Sequence, residues 1–270
     1  MEREAPLDAE ALGSLQAADI VVVPGTYDHV ENVLEALEMP FQLVNPSQVG
    51  RLALRPEQLL IVNCPGSLTP GGISKVRRFV RDGGSLFTTD WALRNVIEPA
   101  FPGFVEYNER PTADDVVRIE IRSAENPFLR GVVDGADDPQ WWLEGSSYPI
   151  RVLDKQNVEV LLTSKELEGK YGEAAVAVQF AFGKGEVFHM ISHYYLQRTE
   201  LRSQRHSMGA SSFAAEKGYV PDEQDALVLA GLSVGDVESA YSSSRLFSNI
   251  VADKKRRSSG LASGPRSGKP

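Results

Sequence analysis

The sequence predicts an α/β protein built on a doubly wound, mostly parallel sheet. Three observations carry that expectation. Four short apolar runs, at 19–24, 41–45, 59–63 and 85–89, are bounded by turn residues. Segments with helical spacing alternate with them. The alternation fills about the first hundred positions, and parallel strands need such crossovers, which place helices on both faces of the sheet.

Asp19-Ile-Val-Val-Val-Pro24 is β-branched and apolar throughout, as suits a strand covered on both faces. Gly25-Thr26 turns the chain. Val30, Val33, Leu34 and Leu37 then mark one face of a helix from Tyr27 to Glu38, which Pro40 stops. Phe41–Asn45 reads as the second strand. Leu59-Leu-Ile-Val-Asn63 reads as the third, with Cys64-Pro65-Gly66 as its terminal turn. Thr69-Pro70 opens a helix with an N-cap and a first-turn proline. Its stripe is Ile73, Val76, Phe79 and Val80, and Asp82-Gly83-Gly84 ends it. Ser85–Thr89 is the fourth strand, Asp90-Trp91 stand just past it, and 92–98 form a short helix.

The second half is less regular and adds β-hairpin elements. Val116–Ile121 alternates as a strand, and Asn126-Pro-Phe-Leu129 is a turn with an apolar plug. Trp141-Trp142 lies in a stretch rich in glycine, aspartate and proline. Val158–Thr163 and Ala174–Phe182 read as strands, and Gly183-Lys-Gly185 joins the latter to a strand at 186–192. Residues 198–222 read as polar loop and 223–251 as one or two helices. The expected organisation is an extension at 1–18, an α/β domain at 19–200, a loop and helical extension at 201–252, and a tail at 253–270.

The chain of 270 residues carries a net charge of −9. From Asp253 onward six basic residues face one acid, so the tail is +5 and the body −14. An acidic body argues against nucleic acid binding by the fold itself and leaves only the tail for such a contact. That tail is rich in glycine, serine and proline and is expected to be disordered. No apolar run approaches the roughly 20 residues that span a bilayer. The acidic, polar start Met1-Glu-Arg-Glu does not read as a secretory signal. A cytoplasmic location is expected. Cys64 is the single cysteine, which excludes an intramolecular disulfide and a cysteine-rich zinc site.

Several pieces together resemble the class I glutamine-amidotransferase-like superfamily, with its flavodoxin-like fold. They are Leu59-Leu-Ile-Val-Asn-Cys-Pro-Gly66, a helix ending Phe79-Val-Arg-Asp-Gly-Gly84, and Ser85-Leu-Phe-Thr-Thr-Asp90. Glu125-Asn-Pro-Phe-Leu129 and Phe182-Gly-Lys-Gly-Glu-Val-Phe-His-Met-Ile-Ser-His193 fit as well. The similarity covers 19–195 and leans toward the ThuA-like, trehalose-utilisation branch. It implies a nucleophilic cysteine in a glycine-flanked elbow after the strand that ends at Thr89, but this chain has Thr88-Thr-Asp-Trp-Ala92 there. The partner histidine of the family falls near His193, where Tyr194-Tyr195 follow in place of the final acid. Glutaminase chemistry is therefore not expected.

In open α/β sheets ligands bind outside the carboxyl ends of the strands. Asp28 and His29, Cys64 with Gly66, Asp90 with Trp91, and His193 with Tyr194 all map to that edge. Three uses compete. Cys64 as thiolate with His193 or His29 as base and Asp90 as orienter would be a nucleophilic site. His29, Asp90 and His193 could ligate a metal, but no compact motif supports it, so no metal and no cofactor is expected. In the third use, Asp28, His29, Gly66, Trp91 and Tyr194 line a site that binds without chemistry. The leading expectation is a non-catalytic ligand-binding or scaffold subunit of a cytoplasmic assembly, with a protein partner or small polar ligand and room for a homo-oligomer. The alternative is a hydrolase of a small polar or sugar-related substrate working through Cys64, His193 and Asp90. His189 reads as a satisfied core residue and His206 as a solvated loop residue.

Overall fold

The computed structural model describes residues 5–194 and 198–260. In chain order its strands are β1 (Ile20–Val23), β2 (Gln42–Leu43), β3 (Leu59–Val62), β4 (Ser85–Thr89), β5 (Val105–Tyr107) and β6 (Asp115–Arg118). β7 (Glu120–Ile121), β8 (Gln140–Leu143), β9 (Ile150–Val152), β10 (Val158–Thr163), β11 (Ala175–Phe182) and β12 (Gly185–Met190) follow. The helices are α1 (Pro6–Gly13), α2 (Val30–Ala36), α3 (Pro70–Arg81), α4 (Glu98–Ala100), α5 (Lys165–Tyr171), α6 (Ala210–Glu216), α7 (Glu223–Ala230) and α8 (Val234–Ser259).

The main sheet has the order β2-β1-β3-β4-β12-β11-β10-β7. β1, β2, β3, β4 and β12 pair in parallel. From β12 onward the pairings are antiparallel, beginning with the hairpin through Gly183. This is the mixed α/β architecture the sequence implies. The chain reverses direction across the sheet between β1 and β3, so the crevice beside Cys64 is the switch point where open sheets take ligands. β1, β3, β4 and β12 are buried at every position, which is why they read as continuous apolar runs rather than alternating ones.

Local chemistry fixes the ends. The Thr69 hydroxyl accepts from the Gly72 amide to cap α3, and Ser233 and Asp236 form a reciprocal capping box on α8. The Cys64–Pro65 peptide is cis. Gly66 follows at φ 75°, where a Cβ would meet Val96 Cγ2 at 2.8 Å, so the turn admits only glycine without a shift.

Several expectations change. The run 116–121 is two strands, since β6 leaves the main sheet to pair with β8 while β7 joins β10. The segment expected as loop at 198–222 contains α6, and 165–171 is helical. α2 begins at Val30 rather than Tyr27. His206 is not solvated: it is fully buried, with Nε2 at 2.9 Å from the Asp138 carbonyl and the Gln140 amide against its ring.

The largest correction concerns the C-terminal region. α8 runs through Ser259, so 253–259 is helix and not disordered tail. Its basic residues are used internally. Lys254 donates to the carbonyls of Pro56 and Gly83, at 2.6 and 3.0 Å. Lys255 pairs with Asp19 and Arg256 with Asp8 of α1. Arg257 pairs with the buried Glu186 at the start of β12 and with Asp253. The basic run at 254–257 is thus engaged in contacts within the fold. The rest of the tail, 261–270, lies outside the described residues. Among the described residues, no helix is long and apolar enough to cross a membrane.

Candidate functional site

Three adjacent strands of the sheet, β3, β4 and β12, deliver Cys64, Asp90 and His193 to one place. The thiol sulfur, a carboxylate oxygen and an imidazole nitrogen all lie within 4.8 Å of one another. Relative exposures are 0 % for Cys64, 2 % for Asp90 and 4 % for His193, so all three residues are buried.

Asp90 occupies the strand-to-helix elbow. Its φ is 42°, in the left-handed region that aspartate visits more readily than most residues. Its amide donates to the Met190 carbonyl at 2.9 Å and its carbonyl accepts from Leu93 at 2.8 Å, pinning both sides of the bend. Its carboxylate is equally held. The Tyr148 amide donates to Oδ1 at 2.8 Å and the Ser147 hydroxyl to Oδ2 at 3.1 Å. Oδ2 also lies 3.1 Å from His193 Nε2.

The other nitrogen of His193, Nδ1, meets Glu144 Oε2 at 2.8 Å. Burial alone would push this histidine down. Its contacts with Asp90 and Cys64 and the charge of Asp28 overcome that and hold it up at about 11. An imidazole facing carboxylates through both nitrogens carries both protons, so at neutral pH it is a cation and not a proton acceptor. Burial pushes the Cys64 thiol up. The hydrogen bond with His193 works against that, and the Asp90 charge adds to it. Burial likewise raises Asp90, against the His193 contact.

The expected binding residues divide. Asp28 is fully buried, and its carboxylate accepts from the amides of His29 (2.8 Å) and Tyr194 (3.1 Å) and from the Thr89 hydroxyl. It ties the β1 loop to the β12 loop behind the cluster. His29 turns to Glu31 at 3.1 Å, and Glu31 accepts from the Asn63 side chain, so His29 is not part of the thiol cluster. Tyr194 was expected at the ligand edge. Its ring instead packs between Phe87 and Phe247 in the core, because alternation turns the residue after His193 inward. Tyr195 lies outside the described residues. Trp91 stays at the rim, half-buried. It stacks on Tyr148 at 5.5 Å, meets Tyr27 edge-on at 5.1 Å, and donates its indole N–H to the Ser146 carbonyl. Tyr107 also stacks on Tyr148, at 3.9 Å.

Glu144, Ser147 and Tyr148 were missed. All three stand on the loop between β8 and β9, more than fifty positions from Asp90. The one signal for them is an acid directly after the apolar Trp141-Trp-Leu143 run. Glu144 brings to His193 a carboxylate that its neighbours in sequence, Tyr194 and Tyr195, do not provide.

No family model matches the chain, and no curated protein matches it. Solved structures do. A glutamine amidotransferase from Thermotoga maritima aligns over 89 % of this chain and 99 % of its own, at 9 % identity and a TM-score of 0.51. That likeness establishes a shared amidotransferase-like fold. A putative ThuA-like protein from Bacteroides uniformis aligns over 65 % of this chain and 82 % of its own, at 13 % identity and a TM-score of 0.44. A beta-galactosidase from Bacillus circulans sp. alkalophilus aligns over 68 % of this chain at 14 % identity and a TM-score of 0.47. This chain spans about a third or less of that enzyme, which is covered over 30 % of its length.

Proposed function

We propose that this chain is a non-catalytic amidotransferase-like domain that binds a small polar ligand at the Cys64–Asp90–His193 edge and serves as a subunit of a cytoplasmic assembly. The observation that carries this reading is His193 held between Asp90 and Glu144, at 3.1 and 2.8 Å. A histidine so engaged has no lone pair to accept the thiol proton. The elbow residue that would attack in a glutaminase is here an aspartate with both oxygens occupied. The groups that carry out chemistry in related folds are arranged in this chain to hold charge in place.

A hydrolase remains the second reading, because Cys64 does hydrogen-bond His193. The rate of alkylation by iodoacetamide, measured on the full chain beside free cysteine at pH 7, separates the two. The binding reading expects Cys64 to react more slowly than the free amino acid, and glutamine to release no ammonia beyond that seen with Cys64→Ala. A thiol faster than free cysteine overturns it in favour of nucleophilic chemistry.

A further inference from the structure

We propose that Cys64, Asp90 and His193 are three protein ligands of a divalent, thiophilic metal ion of the zinc class. The inference deepens the binding reading above and rests on it: the metal would displace the Nε2 proton of His193 and the thiol proton of Cys64 to solvent, and a thiolate committed to a metal is not a nucleophile in waiting.

The donor set is the first argument. One sulfur, one imidazole nitrogen and one carboxylate oxygen is a borderline-soft combination suited to zinc. Three protein ligands also leave the fourth tetrahedral position open for a polar ligand. Geometry is the second. Zinc–nitrogen and zinc–oxygen bonds of about 2.0–2.1 Å put tetrahedral neighbours roughly 3.3 Å apart, and His193 Nε2 stands 3.1 Å from Asp90 Oδ2. Cys64 Sγ completes a triangle with no side above 4.8 Å.

The surrounding residues are the third argument. Ligating histidines present their second nitrogen to a carboxylate or carbonyl, which fixes the tautomer and the ring. Glu144 does this for His193 at 2.8 Å. The carboxylate ligand is oriented by the Tyr148 amide and the Ser147 hydroxyl. The cysteine is anchored by its amide, which donates to Thr89 Oγ1 at 3.2 Å. His29, a natural candidate from the sequence, is not a ligand, because it faces Glu31.

The test is titration of the metal-free full chain with Co2+ under anaerobic conditions, followed by displacement with Zn2+. The expected result is one cobalt per chain with thiolate-to-cobalt charge-transfer absorption, bleached by zinc. The Cys64→Ser variant should lose that absorption, and Glu144→Gln should bind cobalt 10–100-fold more weakly at the same stoichiometry. Glu144 has a side chain 43 % exposed, so its variant tests the site in a folded chain. If Cys64→Ser fails to fold, zinc-edge X-ray absorption on the wild-type chain takes its place and should show one sulfur in the coordination shell. No charge-transfer band, a band surviving Cys64→Ser, or a zinc shell without sulfur overturns the metal site. Each of these leaves the binding reading standing while Cys64 alkylates slowly. Fast alkylation of the metal-free chain overturns the reading beneath it.

Discussion

Asp90 Oδ2 and His193 Nε2 lie 3.1 Å apart across the carboxyl ends of β4 and β12, two strands that run parallel and in register from Ser85 and Glu186 to Thr89 and Met190. The register is what brings them together. Each residue stands a fixed short distance beyond its strand, so the sheet sets their separation before any side-chain preference acts. The pair is buried, so each group meets the other rather than bulk water.

Asp90→Asn should therefore be costly. Asparagine keeps the shape and tolerates the left-handed backbone at Asp90, so the loss isolates the charge. Breaking a buried ion pair typically costs about 3–5 kcal/mol. Urea unfolding of the variant beside the wild type at pH 7 gives the number. A loss below about 1 kcal/mol would mean that Glu144 alone suffices for His193.

Acid should act through His189. Its Nδ1 stands 2.8 Å from the Thr88 hydroxyl in the middle of the sheet, and burial pushes it down to about 3 from an ordinary 6.5. The unfolded chain binds this proton first, so between pH 6.5 and 3 the unfolded state holds more protons and stability falls as pH falls. The full effect of this one residue is on the order of 5 kcal/mol at most. Stability measured at pH 7 and pH 4.5 for wild type and His189→Gln checks it. The variant should lose less than the wild type over that range, and equal losses would refute the assignment.

Lys254→Ala should destabilise the chain although it removes a charge from a basic run. Burial, with Arg257 nearby, pushes this ammonium down to about 8, and its stem and two carbonyl partners fasten α8 beneath β3 and β4. Leaving both carbonyls without a donor costs about 1–3 kcal/mol. A thermal or urea midpoint unchanged from wild type would place Lys254 on the surface instead.

The parallel half of the fold was legible because each of its strands is short, apolar and followed by a turn and a helix. Buried parallel strands cannot disguise that pattern. β5 and β9 were not legible: at three residues each, neither carries an alternation long enough to read. Cys64, Asp90 and His193 were legible as positions, because strand ends converge by topology. Their surroundings were not, because the residues that hold Asp90 and His193, namely Glu144, Ser147 and Tyr148, arrive from a loop that follows β8, a strand outside the main sheet. The tail misled for a similar reason. Lys254-Lys-Arg-Arg257 looks solvated in sequence, and only the positions of Asp8, Asp19, Glu186 and two carbonyls turn it into an internal fastening.

That fastening sets an order on how the molecule can be made. Glu186 sits at the foot of β12, in the interior, and takes Ser85 and Gln179 as neutral partners and Arg257 as its cation. A ribosome delivers Arg257 some seventy residues after Glu186. Until then the emerging chain has a central strand whose carboxylate Glu186 lacks Arg257, and the amino ends of β3 and β4, near Pro56 and Gly83, lack the Lys254 contact. The floor of the parallel strands is thus closed by α8, a helix that follows all of them in chain order.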